Sequence, residues 1–217
     1  MRCFYCRTQG AATDESDMER FRNNSESPAK ERAWESLVSD VERLRDSLGL
    51  HIDNEIKPLV VALRANGFST TASCAGHVDH GLPYPWVDVV SHLAERLLSD
   101  RCYIALKQRA REARKAGTPM TESDEAEYEN RVLAQIDANA KAQADLRRAL
   151  DRFYASERQR DVDLVIDPGP WNRSRLRPAI APSHGDPARL AASDLESGRA
   201  EMERFAEFLR RDFFTAN

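Results

Sequence analysis

A long helical stretch that separates two groups of strand-like segments constrains this fold most. Between residue 92 and about residue 159 the apolar residues recur at helical spacing, with one break at Gly117-Thr-Pro119. β-branched and aromatic runs precede and follow this stretch, so one sheet must join strands from distant parts of the chain. The four predicted strands cover residues 68–73, 86–90, 162–167 and 175–181.

Two amphipathic helices are predicted before the first strand. The first covers residues 28–48, where the apolar residues form one stripe and a glycine follows. The second covers about residues 53–65, with Asp53 or Asn54 as its cap. Pro58 is tolerated only within the first turn of a helix, so it favours a start just before this proline.

A third amphipathic segment, from Leu195 to Phe213, is expected to pack on the sheet as a C-terminal helix. The fold class is therefore predicted to be α+β: a small, mostly antiparallel sheet of about four strands, with helices on one face and a long helical hairpin insertion. The hairpin is expected to project from the core or to serve self-association. The predicted segments are an N-terminal arm at 1–27, a core at 28–91 and 160–217, and the hairpin at 92–159.

The two C-terminal strands carry prolines and arginines at informative positions. Pro168-Gly-Pro170 is expected to end the first of them, and Pro178 is expected to mark an edge strand or a bulge in the second. Arg173, Arg175 and Arg177 alternate along this predicted edge strand. Arg175 and Arg177 therefore share a face and could meet an anion, although a solvated edge that discourages aggregation explains them equally well.

The composition excludes several classes of partner. Of the 217 residues, 41% are hydrophobic and 31% are charged, and the net charge is −4 with a pI of about 5.8. An acidic balance argues against a general nucleic-acid binder, because neutralising phosphates requires a basic surplus. No apolar run is long enough to span a bilayer, and the polar N-terminus has no signal-peptide core. We expect a cytoplasmic protein with no membrane partner.

The N-terminal arm opens with a Cys-x-x-Cys pair, Cys3 and Cys6. This spacing allows two thiolates to reach one tetrahedral zinc, but a complete site needs two more ligands. If the arm folded over the core, Cys74 and His77 would complete a closed structural site. The alternative is a pair of reduced thiols on a flexible arm.

The loop after the first strand concentrates the chemically capable side chains. It runs from Ser73 through Cys74 and Gly76 to His77, and the strand before it carries two threonines. Gly76 permits positive φ, so hydroxyl and N–H groups could converge there as a nest for a phosphate or carboxylate. The candidate ligand-binding residues are Thr70, Thr71, Ser73, Gly76, His77, Trp86, Arg175 and Arg177.

The same loop has the composition of a metal site. Cys74, His77 and His80 are spaced three residues apart, with Asp79 beside them. Three nitrogen and sulfur ligands with an open fourth position are typical of catalytic zinc. The metal alternative therefore names Cys74, His77 and His80 as ligands.

Two further alternatives concern Cys74 and His77 as a pair. Cys74 could be a catalytic nucleophile with His77 as its base, since a neighbouring imidazolium or a nest of N–H groups stabilises a thiolate. Asp79 and Asp88 are then the candidates for orienting the imidazole. In a purely structural loop, His77 would bond the backbone and Cys74 would pack as a small apolar group.

A resemblance accompanies these residues. The pattern Ile52-Asp53-x-x-Ile56 through Gly67-Phe68-x-Thr70 to Ser73-Cys74-x-Gly76-His77 resembles a module of small uncharacterised bacterial and bacteriophage proteins. It is also distantly similar to the wybutosine-synthesis tRNA methyltransferase family, although His77 stands where that family has an arginine. That similarity implies an α/β domain with S-adenosylmethionine as cofactor and a site near Ser73–His77.

Three functions are compatible with these observations. The first is a bacterial or phage accessory protein that binds a small anionic or nucleotide-like ligand at the Ser73–His77 loop. The second is an enzyme, either methyltransferase-like or zinc-dependent, centred on Cys74, His77 and His80, with zinc or S-adenosylmethionine as its cofactor. The third is an interaction protein that acts through the helical hairpin.

Overall fold

The computed structural model describes residues 27–45, 49–77, 81–156, 162–169, 173–179 and 191–216. These residues form six helices and one four-stranded antiparallel sheet, which confirms the predicted α+β class. The helices are α1 (Ser27–Arg43), α2 (Lys57–Ala65), α3 (His92–Ser99), α4 (Arg101–Ala116), α5 (Glu122–Ser156) and α6 (Ala192–Thr215). The strands are β1 (Ser69–Cys74), β2 (Trp86–Val90), β3 (Leu164–Gly169) and β4 (Arg173–Pro178).

The strand order is β1-β2-β4-β3, so the two C-terminal strands extend the sheet that the first two begin. The prediction that the arginine-bearing strand lies at an edge is wrong, because β4 pairs with β2 on one side and with β3 on the other. Its arginines are held by carboxylates of the neighbouring strands rather than by solvent. Pro178 is neither on an edge strand nor at a bulge; it lies beyond Leu176, the last residue of β4 that pairs with β2, so its missing N–H leaves no gap in that ladder.

The two faces of the sheet differ in chemistry. Val87, Val89 and Leu176 share one face and belong to the main core with residues of α2, α5 and α6. The opposite face carries Cys74, Trp86 and, opposite one another, Asp88 and Arg175. The helices that cover the core face bury the largest side chains, among them Phe153 of α5 and Phe205 of α6.

Several boundaries differ from the predictions for local reasons. α1 ends at Arg43 rather than at residue 48, because Arg45 forms an isolated antiparallel bridge with His51. α2 begins at Lys57, as Pro58 indicates, and its first turn holds the proline. β3 continues through Pro168 and Gly169, where a break is predicted, because an edge strand tolerates a residue without an N–H.

The helix predicted from residue 92 to the hairpin break is divided at Asp100. Asp100 has extended backbone angles, and its carboxylate accepts the N–H groups of Cys102 and Tyr103 at 2.8 and 3.2 Å. A hydrogen bond from Arg131 to the same carboxylate is the main cause that lowers the pKa of Asp100. The capping carboxylate therefore ends α3 and begins α4 within what reads as one helical pattern.

The long helix α5 serves two regions. Its first half pairs with α4 to form the hairpin, while Leu146, Ala149, Leu150 and Phe153 near its end belong to the main core. Midway, the buried Asn139 accepts hydrogen bonds from the N–H and the hydroxyl of Ser91. No helix among the described residues is long and apolar enough to cross a membrane.

Candidate functional site

The turn after β1 is held in one conformation by close packing. Gly76 has φ +77°, and a Cβ at this position would lie 2.6 Å from the carbonyl carbon of Tyr84 and 2.9 Å from the nitrogen of Pro85. Arg199 of α6 donates from Nε to the carbonyl oxygen of Ala75 at 2.9 Å and from Nη2 to that of Gly76 at 2.7 Å. The turn is therefore fixed by a glycine that only fits without a side chain and by a bidentate arginine.

Three potential metal ligands converge at this turn. One donor atom each from Asp53, Cys74 and His77 lies within 4.8 Å of the others. Asp53 Oδ2 is 3.3 Å from His77 Nε2. The Cys74 residue is 7% exposed, whereas the side chains of Asp53 and His77 are 33% and 26% exposed, so the group opens toward solvent on the Asp53–His77 side.

The chain segment before α2 places Asp53 here. Its carbonyl oxygen accepts the N–H groups of Ile56 and Lys57, which closes the turn that leads into the helix. Asp53 does not cap α2 with its side chain as predicted; Oδ2 instead accepts the N–H of Ala75 at 2.9 Å. An open surface cavity of about 480 Å³ borders Asp53, with His51 and Lys57 on its rim.

The backbone N–H groups of the turn all have acceptors inside the protein. The N–H of Ala75 donates to Asp53, that of Gly76 donates to Cys74 Sγ at 3.3 Å, and that of His77 donates to the carbonyl oxygen of Leu82 at 3.2 Å. A nest for an anion needs such groups to point together into a ligand position. Their internal partners, together with the Asp53 carboxylate, favour a cation over an anion at this turn.

The other predicted ligand-binding residues are distributed over both faces of the sheet. The register places Thr70 and Ser73 opposite Val89 and Val87, on the core face and away from Cys74. Thr71 is the extra residue of a bulge in β1 and is buried, 6% exposed. Sequence reasoning groups these hydroxyls with Cys74, but strand alternation separates them.

The face of the sheet that carries Cys74 also carries Trp86, Arg175 and Arg177. The guanidinium carbon of Arg175 is 3.9 Å from the centre of the Trp86 ring, and Arg175 makes a bidentate ion pair with Asp88 at 2.7 and 3.0 Å. Arg177 donates to Asp167 at 2.6 Å. The anion that these arginines meet in the structure is therefore a carboxylate of the sheet itself.

The remaining predicted residues fall in two groups. His80, Asp79, Cys3 and Cys6 lie outside the described residues. Asp88, a candidate for orienting His77, is paired with Arg175, and Asp53 occupies the position beside the imidazole. Sequence reasoning missed Asp53 as a site residue; its signal is the Ile-Asp pair that precedes the strand-and-loop pattern.

A second polar cluster lies at the other end of β1. The buried Ser69 hydroxyl is 2.6 Å from both His92 Nδ1 and Glu95 Oε2, and Arg64 donates to Glu95 Oε1 at 2.7 Å. Burial alone would raise the pKa of Glu95, but the interactions with His92, Arg64 and Ser69 outweigh it and lower that pKa to about 2. His92 Nδ1 faces both the Ser69 hydroxyl and, at 3.8 Å, Glu95 Oε2. In a catalytic triad one ring nitrogen contacts the serine and the other contacts the orienting acid, so this cluster is a structural network.

No protein-family model, no curated protein and no solved structure matches this chain. The similarity to the Ser-Cys-x-Gly-His proteins and to the wybutosine-synthesis family stays a prediction. What supports a function is therefore the geometry of Asp53, Cys74 and His77.

Proposed function

We propose that this chain binds one zinc ion through Asp53, Cys74 and His77, and that the zinc receives water or a small anionic ligand at its fourth position. The observation that carries the proposal is the convergence of these three donor atoms within 4.8 Å of one another. Carboxylate oxygen, thiolate sulfur and imidazole nitrogen are the donors that zinc accepts in proteins. Three protein ligands with an open position are typical of catalytic rather than structural zinc.

The distance between Asp53 Oδ2 and His77 Nε2 suits a shared metal. Two ligands each about 2.0–2.1 Å from a tetrahedral zinc are about 3.3 Å apart, which follows from the tetrahedral angle. The observed separation is 3.3 Å, longer than the usual length of a direct N–H···O hydrogen bond. The sulfur of Cys74 lies within 4.8 Å of a carboxylate oxygen of Asp53 and of a ring nitrogen of His77.

The groups around the ligands also fit a metal site. Ligating carboxylates and thiolates in proteins generally accept hydrogen bonds from an outer shell that fixes their orientation. Here the N–H of Ala75 donates to Asp53 and the N–H of Gly76 donates to Cys74. Arg199 donates to the carbonyl oxygens of Ala75 and Gly76 and so holds these two N–H donors in place.

One side of the site is open to solvent, so water or a small ligand can reach the fourth coordination position of the proposed zinc. Asp53 and His77 face solvent, whereas Cys74 lies on the inner side. A zinc ion held by these three residues would lower the pKa of a bound water to about 7 and would polarise a carbonyl or phosphoryl oxygen. This chemistry supports the zinc-dependent alternative over Cys74 as a free nucleophile, because the buried thiol is poorly placed for attack on a substrate.

The test measures zinc in the purified full-length chain that carries Cys3→Ser and Cys6→Ser, so that the N-terminal thiols contribute nothing. We expect one zinc per chain, and a thiolate-to-metal charge-transfer band when cobalt replaces zinc. Cys74→Ser should abolish the band, and His77→Ala should lower the affinity for zinc by at least tenfold. The matched control is Cys102→Ser, which removes an exposed thiol on α4 and should change neither.

Thermal unfolding with and without zinc separates loss of metal binding from loss of the fold. A ligand at a hundred times its dissociation constant adds about 2.7 kcal/mol to the stability of the folded state. A Cys74→Ser chain that still unfolds cooperatively, and that gains nothing from zinc, supports the proposal. Zinc binding that persists in this variant, or a chain that binds no zinc, would refute it. A stabilisation by S-adenosylmethionine in the absence of zinc would favour the methyltransferase-like alternative instead.

A further inference from the structure

A basic cavity lies between the helical hairpin and the end of the sheet. We call it the hairpin cleft and define it by six of its lining residues. Its volume is about 460 Å³, within the usual range of small-molecule sites. The six residues are Tyr103, Lys107, Arg111, Arg114, Tyr128 and Arg173.

Helical spacing gathers the cationic groups on one wall of the hairpin cleft. Lys107, Arg111 and Arg114 follow one another at four and three residues on α4, so their side chains lie on one face of that helix. Arg173, the first residue of β4, adds a fourth cation from the sheet and is 6% exposed. Apolar side chains such as Val90 complete the cavity.

The lining of the hairpin cleft is one-sided in charge. Among the described residues that line it there are four cationic side chains and no carboxylate. Two acids of the hairpin form ion pairs with arginines that do not line the cavity: Asp124 with Arg109, and Glu127 with Arg131. Four positive charges that face one cavity create a potential that attracts an anion.

At the floor of the hairpin cleft, Arg173 and Arg175 share the buried carboxylate of Asp88. Arg173 Nη1 is 3.8 Å from Asp88 Oδ2, but Asp88 makes its bidentate pair with Arg175. Burial lowers the pKa of Lys107, and the charges of Arg111 and Arg173 lower it further. An anion in the cavity would relieve this crowding of like charges.

We propose that the hairpin cleft binds a small phosphorylated ligand of nucleotide size, at a site separate from the zinc site. Guanidinium groups match the oxygens of a phosphate in a bidentate manner, and the cavity offers three of them. Tyr103 and Tyr128 stack at 6.2 Å with an angle of 17° between their planes, and they give the cavity an aromatic wall beside the cations. The net charge of −4 favours a small ligand over a nucleic-acid polymer, which the rest of the surface would repel.

The two proposed sites lie at opposite ends of the first two strands. Val90, which lines the hairpin cleft, pairs with Ser69, whereas Trp86 pairs with Cys74. Four residues of strand separate these positions by about 13 Å. Removal of one site should therefore leave the other intact.

The experiment measures the affinity of the full-length chain for ADP by calorimetry, with inorganic pyrophosphate and a single-stranded oligonucleotide as parallel probes. We expect ADP to bind, and Arg111→Gln to weaken that binding about tenfold or more, because charge-assisted hydrogen bonds to phosphate are lost. Arg101→Gln is the matched control: it removes one exposed arginine from the same helix outside the cavity and should change the affinity less than twofold. Pyrophosphate binding comparable to that of ADP would assign recognition to the phosphates alone and still support the site.

Other outcomes overturn the proposal. Binding of the oligonucleotide but not of ADP would make the hairpin cleft a nucleic-acid interface. ADP binding that is unchanged by Arg111→Gln but lost in Cys74→Ser would assign the phosphate to the zinc site. A chain that binds none of the three probes refutes the proposal outright.

Discussion

The close approach of Tyr84 and Pro85 to Gly76 yields a prediction whose magnitude follows from the structure. Ala at position 76 would adopt a φ of +77° and would place its Cβ 2.6 Å from a backbone carbon. Left-handed backbone costs a non-glycine residue about 1–2 kcal/mol. The clash adds about 1–3 kcal/mol, because two of the three atoms that the Cβ meets belong to the backbone and only Leu195 Cδ1 belongs to a side chain.

Gly117 at the end of α4 provides the matched control. Its φ is +66°, but a Cβ there would meet nothing within 4 Å. Gly117→Ala should therefore cost only the left-handed strain, about 1–2 kcal/mol, whereas Gly76→Ala should cost about 2–5 kcal/mol. The difference isolates the close contacts at position 76, which are with the backbone of residues 84 and 85 and with Leu195 Cδ1.

Urea unfolding followed by circular dichroism measures both variants. With a slope of about 2 kcal/mol per molar urea, the midpoint of Gly76→Ala should lie about 1 M below that of Gly117→Ala. Equal midpoints would show that Tyr84 does not crowd Gly76 as described. A Gly76→Ala chain that is more stable than Gly117→Ala would contradict the reasoning altogether.

Two further predictions concern acid stability and assembly. Because the folded-state pKa of Glu95 is lowered to about 2, its contribution of about 3 kcal/mol is present above pH 4.5 and lost as pH falls toward 2. Urea unfolding at a series of pH values should show this loss, and Glu95→Gln should flatten it; an unchanged slope would argue against the assigned pKa. The predicted self-association of the hairpin is favoured by Leu133, 59% exposed, and Ile136, 39% exposed. Light scattering should give an oligomer that Leu133→Glu dissociates, and a monomer at every concentration would contradict this expectation.

Local signals predicted the elements that depend on near neighbours. The strand Trp86–Val90 has the predicted bounds, because its run of β-branched and aromatic residues is bordered by proline on one side and by a helix cap on the other. Pro58 indicated the start of α2, and Gly117 indicated the break in the hairpin. Each of these signals affects only residues close to it in the sequence, so it can be recognised from the sequence alone.

Features that depend on distant partners could not be predicted in this way. Asp53 reaches Cys74 and His77 only because α2 returns the chain to the end of β1, and the sequence shows it merely as a capping candidate. Asn139 lies in a polar stretch with no apolar period, yet it is buried because Ser91 supplies the hydrogen bonds it needs. A polar side chain can be buried where it has a hydrogen-bond partner, and a partner far along the chain cannot be identified from the local sequence pattern.

The continuity of α5 determines how this chain can be cut and extended. Its 35 residues form one rod about 50 Å long, and the side chains of its last turns fill the interior beneath the sheet. Excision of residues 92–159 as a cassette would consequently leave a hole where Phe153 and Leu146 sit. The bend at Gly117, where α4 ends, is by contrast a natural insertion point for a reporter or affinity tag, and two turns added to both arms there would carry such a graft about 10 Å farther out.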